Sequence, residues 1–164
     1  MSDRARVGSG RDLVVERVFD APREVMWKAW TEPERLARWF GPKDYTIASV
    51  EIDLRVGGRL FFSMQSPEGQ LYWHLGVFEE IVPLERIVYK DSFADAEGKV
   101  VPASHYGMAG DIPLERRVTV TFADTGGKTR TTLRHEGLPG PAAEGAGAGW
   151  SQSFEKLSEY LAAA

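Results

Sequence analysis

The sequence predicts an α+β fold: a curved, seven-stranded antiparallel sheet wrapped around one long C-terminal helix, with two short helices after the first strand. Three observations carry this expectation. From Tyr45 to His135 the hydrophobic pattern has a period of two, interrupted by short turn sequences. Near the C terminus Trp150, Phe154, Leu157 and Leu161 recur four, three and four apart and so share one helix face, while Gln152, Glu155, Lys156 and Glu159 point elsewhere. Helical signals otherwise occur only between the first strand and Gly41-Pro42.

The first strand spans Leu13 to Phe19, rich in Val, and Ala21-Pro22 ends it and opens a helix through Val25 to Trp30. Thr31-Glu32-Pro33-Glu34 has the form of a capping box with Thr31 as N-cap, predicting a second helix through Leu36 and Trp39 that stops at Gly41-Pro42. Six strands follow, at Thr46 to Arg55, Arg59 to Gln65, Leu71 to Ile81, Arg86 to Phe93, Arg116 to Phe122 and Thr129 to His135. Gly57-Gly58, Ser66-Pro67-Glu68-Gly69, Pro83-Leu84-Glu85 and Asp124-Thr125-Gly126-Gly127 separate them with residues suited to tight reversals, so neighbours run antiparallel in a meander. Ala94 to Leu114 is too long for a hairpin and too broken by Gly and Pro for a helix. His105, Tyr106 and Met108 make it apolar enough to fold over the sheet as a lid. Gly137 to Gly149 reads as a flexible approach, with regular helix beginning close to Gly147.

Composition narrows the function classes. A chain of 164 residues with 43% hydrophobic content buries one core, assigned to a single domain over 11–164 behind a disordered tail at 1–10. A net charge of -4, without a run of Lys or Arg, argues against nucleic acid as a partner. No apolar run approaches the roughly 20 residues of a membrane span, and the first residues lack a signal-peptide pattern, so a cytoplasmic protein is expected, with no membrane partner. The absence of cysteine removes disulfides and thiolate chemistry, and His74, His105 and His135 have no metal-ligand spacing, so neither metal nor cofactor is expected. No nucleophile elbow or phosphate loop is present, and catalytic residues are not assigned.

Size raises the question of a cavity. Seven strands about 4.8 Å apart make a sheet roughly 30 Å across, whereas a helix with its side chains is only about 10–12 Å wide. Sheet twist lets the strands curl around the helix, and the space enclosed is either filled or hollow. Inward positions carrying large side chains with polar tips make a hollow interior plausible, and the pattern alone leaves both outcomes open.

The strings Val18-Phe19-Asp20-Ala21-Pro22-Arg23-Glu24-Val25-Met26-Trp27 and Ala29-Trp30-Thr31, then Trp39-Phe40-Gly41-Pro42, Asp53-Leu54-Arg55-Val56-Gly57-Gly58, Glu85-Arg86-Ile87-Val88-Tyr89 and Gly149-Trp150-Ser151-Gln152-Ser153, resemble the START-like, or SRPBCC, superfamily. Within it they are similar to homologues of the activator of the 90-kDa heat-shock protein ATPase, a likeness running from Leu13 to Leu161. The resemblance implies a helix-grip fold with a cavity between sheet and helix that in relatives binds lipids, hormones, polyketides or other apolar molecules.

Candidate ligand contacts follow from pattern and resemblance together. Trp39 and Phe40 would close one side, with Trp150 and Phe154 as a ceiling. Phe62 and Met64 share a strand face with Leu60 and serve as wall or core. On the next strand apolarity alone turns Leu71, Trp73, Leu75 and Val77 inward, whereas the resemblance turns Tyr72, His74, Gly76 and Phe78 inward and makes Tyr72 and His74 polar contacts. Tyr89, His105 and Met108 complete the set, although for His105, as for His135, a structural role is the favoured reading. Glu51, Asp53 and Arg55 read as a solvated face. The leading function is non-enzymatic binding of a small apolar molecule. A polyketide cyclase-like enzyme with His74 or His105 as base beside Tyr72 or Tyr89, and a chaperone-directed interaction module, are the alternatives, and a homodimer is compatible with each.

Overall fold

The computed structural model describes residues 4–7, 12–108 and 111–163. A sheet of eight antiparallel strands runs in the order β1 (Arg4–Val7), β2 (Leu13–Phe19), β8 (Lys128–His135), β7 (Arg116–Thr125), β6 (Arg86–Ala94), β5 (Leu71–Val82), β4 (Arg59–Gln65) and β3 (Thr46–Ile52). Strands β3 to β8 form the expected meander, and β2 joins it by pairing with β8, from Leu13 opposite His135 to Phe19 opposite Thr129. Between β2 and β3 lie α1 (Arg23–Thr31) and α2 (Pro33–Leu36); α3 (Gly140–Ala163) closes the chain and packs across the concave face. The seven strands β2 to β8, the long C-terminal helix and the two short helices are the helix-grip arrangement the sequence predicts.

Several local expectations are corrected. Arg4–Val7 form an edge strand on β2, in register from Arg4 opposite Glu16 to Val7 opposite Leu13, rather than part of a disordered tail. Backbone pairing supplies there what apolar surface does not: the free edge of β2 offers a row of unmet N–H and C=O groups. The other residues of that expected tail lie outside the described ones. Thr31 does not cap α2. It is the last residue of α1, where its hydroxyl donates back to the Trp27 carbonyl at 2.7 Å, and Glu32 takes the N-cap position. Helix α2 ends at Leu36, and Trp39 follows in a turn.

Helix α3 begins at Gly140, well before Gly147, with the Ala143 N–H bonded to the Pro139 carbonyl. Its glycines lower helix propensity, but packing overrides the penalty. A Cβ on Gly147 would lie 3.2 Å from Leu13 Cδ1, so the bare backbone is what lets α3 settle closely on β2.

The core lies between the sheet and the C-terminal half of α3, where Leu13, Val15 and Phe19 of β2, Met26 and Trp30 of α1, and Phe154 and Leu157 of α3 are buried. Phe154 meets Phe19 edge to face at 5.4 Å between centroids. Lys156 ties α3 to the segment after α2: its Nζ donates to the carbonyls of Gly41, Pro42 and Tyr45 at 3.1–3.2 Å. Partial burial, opposed by the charge of Asp44, lowers its pKa. Gly41 itself, at φ +102°, makes the turn that brings those carbonyls together.

Candidate functional site

Under the N-terminal half of α3 the sheet and helix separate around a cavity of about 580 Å³, partly open to solvent. That volume lies in the range of small-molecule sites. Its ceiling is made by Ala142, Gly145, Ala146, Gly149, Trp150 and Ser153, spaced three and four apart along α3 and almost all small. Phe62 and Met64 of β4, Tyr72 and His74 of β5, and Tyr89 and Phe93 of β6 form the floor. Phe40 to Pro42 and Tyr45 close one side, and Met108 and Ile112 reach it from the long β6–β7 connection.

That connection is structured by its own hydrogen bonds. The Asp95 carboxylate accepts from the Glu97 and Lys99 N–H groups at 3.0 Å, and a 3₁₀ turn spans Ala103–Tyr106. The Tyr106 hydroxyl donates to the Ala94 carbonyl and accepts from the Trp73 N–H, pinning the loop to the ends of β5 and β6.

Phe40, Phe62, Met64, Tyr72, His74, Tyr89, Met108 and Trp150 thus line one space. Four other sequence candidates do not. Trp39, Phe78 and Phe154 are swallowed by the core, Trp39 donating its Nε1–H to the Ala29 carbonyl at 3.0 Å. His105 is exposed at the loop surface, edge-on to Tyr106, outside the lining. On β5 the face chosen by apolarity alone is the outer one: Trp73 stacks on Phe61 at 5.1 Å, and Arg59 lies over Phe61 at 5.3 Å, covering that face without a core.

One wall is polar. Asp91 and Arg116 are direct cross-strand partners on β6 and β7, and Arg116 Nη2 donates to Asp91 Oδ2 at 3.1 Å while Nη1 donates to the Pro113 carbonyl at 2.9 Å. The guanidinium also lies 4.8 Å from the centre of the Phe93 ring. Both are buried, so each charge depends on the other for compensation. His74 Nδ1 stands 3.6 Å from the second carboxylate oxygen, Oδ1, with its ring stacked flat on Phe62 at 4.9 Å. Burial pushes the Asp91 carboxyl upward, but His74, Arg116 and His135 outweigh it and hold the pKa at about 2.

His135, at the end of β8, accepts a hydrogen bond from Trp150 Nε1–H at Nδ1, 3.1 Å away, which fixes the neutral ring's proton on Nε2. Burial lowers its pKa to about 4, Asp91 opposing that shift and Arg116 and His74 assisting it. Tyr89 is raised well above 10 by burial and by Asp91, with Arg116 pulling the other way, so its phenol stays protonated. Gly76 makes room for it: a Cβ there would lie 3.0 Å from Tyr89 Cδ2, so the Tyr89 ring lies against bare backbone on β5.

Asp91 and Arg116 were not singled out by the sequence pattern as read above, yet a signal exists. Asp91 falls on the same alternation phase as Ile87, Tyr89 and Phe93, and Arg116 on that of Val118, Val120 and Phe122. A charge on an inward phase of each of two strands is what an internal ion pair looks like in one dimension.

Comparison with known proteins places these features in context. A family model described as activator of Hsp90 ATPase homolog 1-like protein matches residues 20–162. Solved structures agree. A Chromobacterium violaceum protein shares 30% identity over 90% of this chain and 94% of its own, with a TM-score of 0.75. A Nitrosomonas europaea protein shares 26% over 94% and 96%, with a TM-score of 0.76. The AHSA1 protein of Silicibacter pomeroyi, at 23% identity over 92% and 97% and a TM-score of 0.74, has the same fold. No functionally curated protein matches the chain.

Proposed function

The chain belongs to the activator of Hsp90 ATPase homolog 1-like family, and from that premise we propose that it binds a small, mainly apolar molecule in the cavity beneath α3, without transforming it, as a cytoplasmic carrier or sensor. The observation that carries this reading is the ceiling. A helix that lies over a sheet would ordinarily fill the space with Leu or Phe, and here the facing positions are Ala142, Gly145, Ala146 and Gly149. Empty apolar volume costs stability through lost contacts, and a guest restores them. Among the described residues no helix is long and apolar enough to cross a membrane.

Native mass spectrometry of the freshly purified protein, with thermal shift against apolar compounds, tests the proposal. A retained small-molecule mass, or a rise in melting temperature that grows with compound concentration, is the expected result. A protein that carries no guest and is stabilised by no apolar compound contradicts it. A second reading, an acid–base enzyme, is favoured by the 3.6 Å approach of His74 Nδ1 to Asp91 in the cavity that also holds Tyr89. Conversion of a bound compound, abolished in His74→Gln, would replace the first reading with the second.

A further inference from the structure

The polar wall carries more than the existence of a cavity. Of the buried side-chain polar atoms without a hydrogen-bond partner among the described residues, His74 Nδ1 and His135 Nε2 belong to rings in this wall. His74 Nδ1 faces the Asp91 carboxylate at 3.6 Å, whereas His135 Nε2 carries the proton that Nδ1 gives up by accepting from Trp150 and meets no acceptor among the described residues. An ionised carboxylate only accepts, so Asp91 selects the His74 tautomer with its proton on Nδ1. In that tautomer Nε2 is a lone pair, and no hydrogen bond from the protein reaches that atom among the described residues. Burial is incomplete here, with 14% of the His74 side chain exposed, and the ring lines the cavity.

Tyr89, whose ring lies against Gly76, two residues along β5 from His74, lines the same cavity, and its hydroxyl likewise forms no hydrogen bond with the described residues. A lone-pair acceptor and a phenolic donor therefore stand on neighbouring strands, unmet by the protein. The charges behind them, Arg116 and Asp91, are spent on each other. A guest with its own full charge would be repelled by one member of that pair or compete with the other.

Resting on the proposed apolar-guest function, we propose that the polar wall selects a neutral apolar molecule bearing a hydroxyl group, whose O–H donates to His74 Nε2 and whose oxygen accepts from the Tyr89 hydroxyl. A ketone or ether would use only Tyr89, and a hydrocarbon would use neither.

Calorimetric titration of the intact protein with para-hydroxybiphenyl, para-methoxybiphenyl, biphenyl and biphenyl carboxylate separates these cases. Methylation leaves the oxygen able to accept but removes the proton that His74 needs. The phenol is expected to bind about tenfold tighter than the methyl ether, as one hydrogen bond's net contribution allows. In His74→Phe that ratio falls to about one. Equal binding of phenol and ether to the unaltered protein, or tightest binding by the carboxylate, overturns the inference and leaves the cavity reading intact. Failure of every probe to bind overturns both. Ring-nitrogen NMR of His74 in the unaltered protein gives a readout independent of any variant's folding. A neutral, Nδ1-protonated ring whose Nε2 resonance moves on adding the phenol and not the ether is expected. A ring protonated on Nε2 before addition contradicts the assignment.

Discussion

The two halves of α3 face the same sheet and meet it in opposite ways. From Trp150 onward the helix presents Phe154 and Leu157, both fully buried, and the aromatic rings of Phe19 and Trp30 close around Phe154. Before Trp150 it presents Ala142, Gly145, Ala146 and Gly149 to the cavity, and a Cβ added at Gly145 would meet nothing within 4 Å. Trp150 stands at the boundary, stacked on Trp30 at 6.4 Å on one side and bonded to His135 on the other. The contrast shows side chains withheld from one stretch of a helix whose backbone is held by the rest.

The packed half should respond most strongly to truncation. Phe154→Ala leaves a void among rings that cannot collapse, and about 3–5 kcal/mol of stability is expected to be lost. Chemical denaturation measures this, and a loss under about 1 kcal/mol would mean that the two halves are not energetically distinct.

Acid should act next, through the polar wall. His135 titrates at about 4 in the fold, against roughly 6.5 in an unfolded chain. The unfolded state binds the proton first, so stability is complete above the unfolded value and falls as pH drops from 6.5 toward 4. Asp91, held at about 2, contributes stability that is present above roughly pH 4 and lost as pH falls toward its folded value. Denaturation midpoints across this range should show both limbs, and His135→Gln should flatten the upper one. A profile unchanged between pH 6.5 and 4 would remove His135 from the buried, neutral state assigned to it.

Glycine replacement in the hollow half should give the smallest effect, and of opposite sign. Gly145→Ala adds a methyl group into open space and restores helix propensity, so a gain of about 0.5–1 kcal/mol is expected in the same denaturation assay. A loss would mean that the position is more tightly enclosed than the geometry indicates.

How much of this was legible in one dimension follows the same division. The strands and the packed end of α3 announced themselves because alternation and helical spacing of large apolar residues leave a strong pattern. The hollow end of α3 did not, since a run of Gly and Ala has the composition of a linker, and only contact with Leu13 and the sheet makes it helix. Thr31 misled because a capping box also describes a Thr that closes one helix by bonding back to Trp27. On β5 the outward Trp73 looked like core because its partner Phe61 is on another strand. Asp91 and Arg116 are separated by 25 residues, and only strand register brings their charges together.

The most direct test of the central claim is to fill the hollow deliberately. Biphenyl is titrated calorimetrically into the unaltered protein and into Ala146→Phe, with the melting temperature of each recorded. Saturable binding by the unaltered protein, reduced by more than about tenfold in a variant that still melts cooperatively, is the predicted result. Equal binding by both proteins would contradict a guest site beneath the N-terminal half of α3.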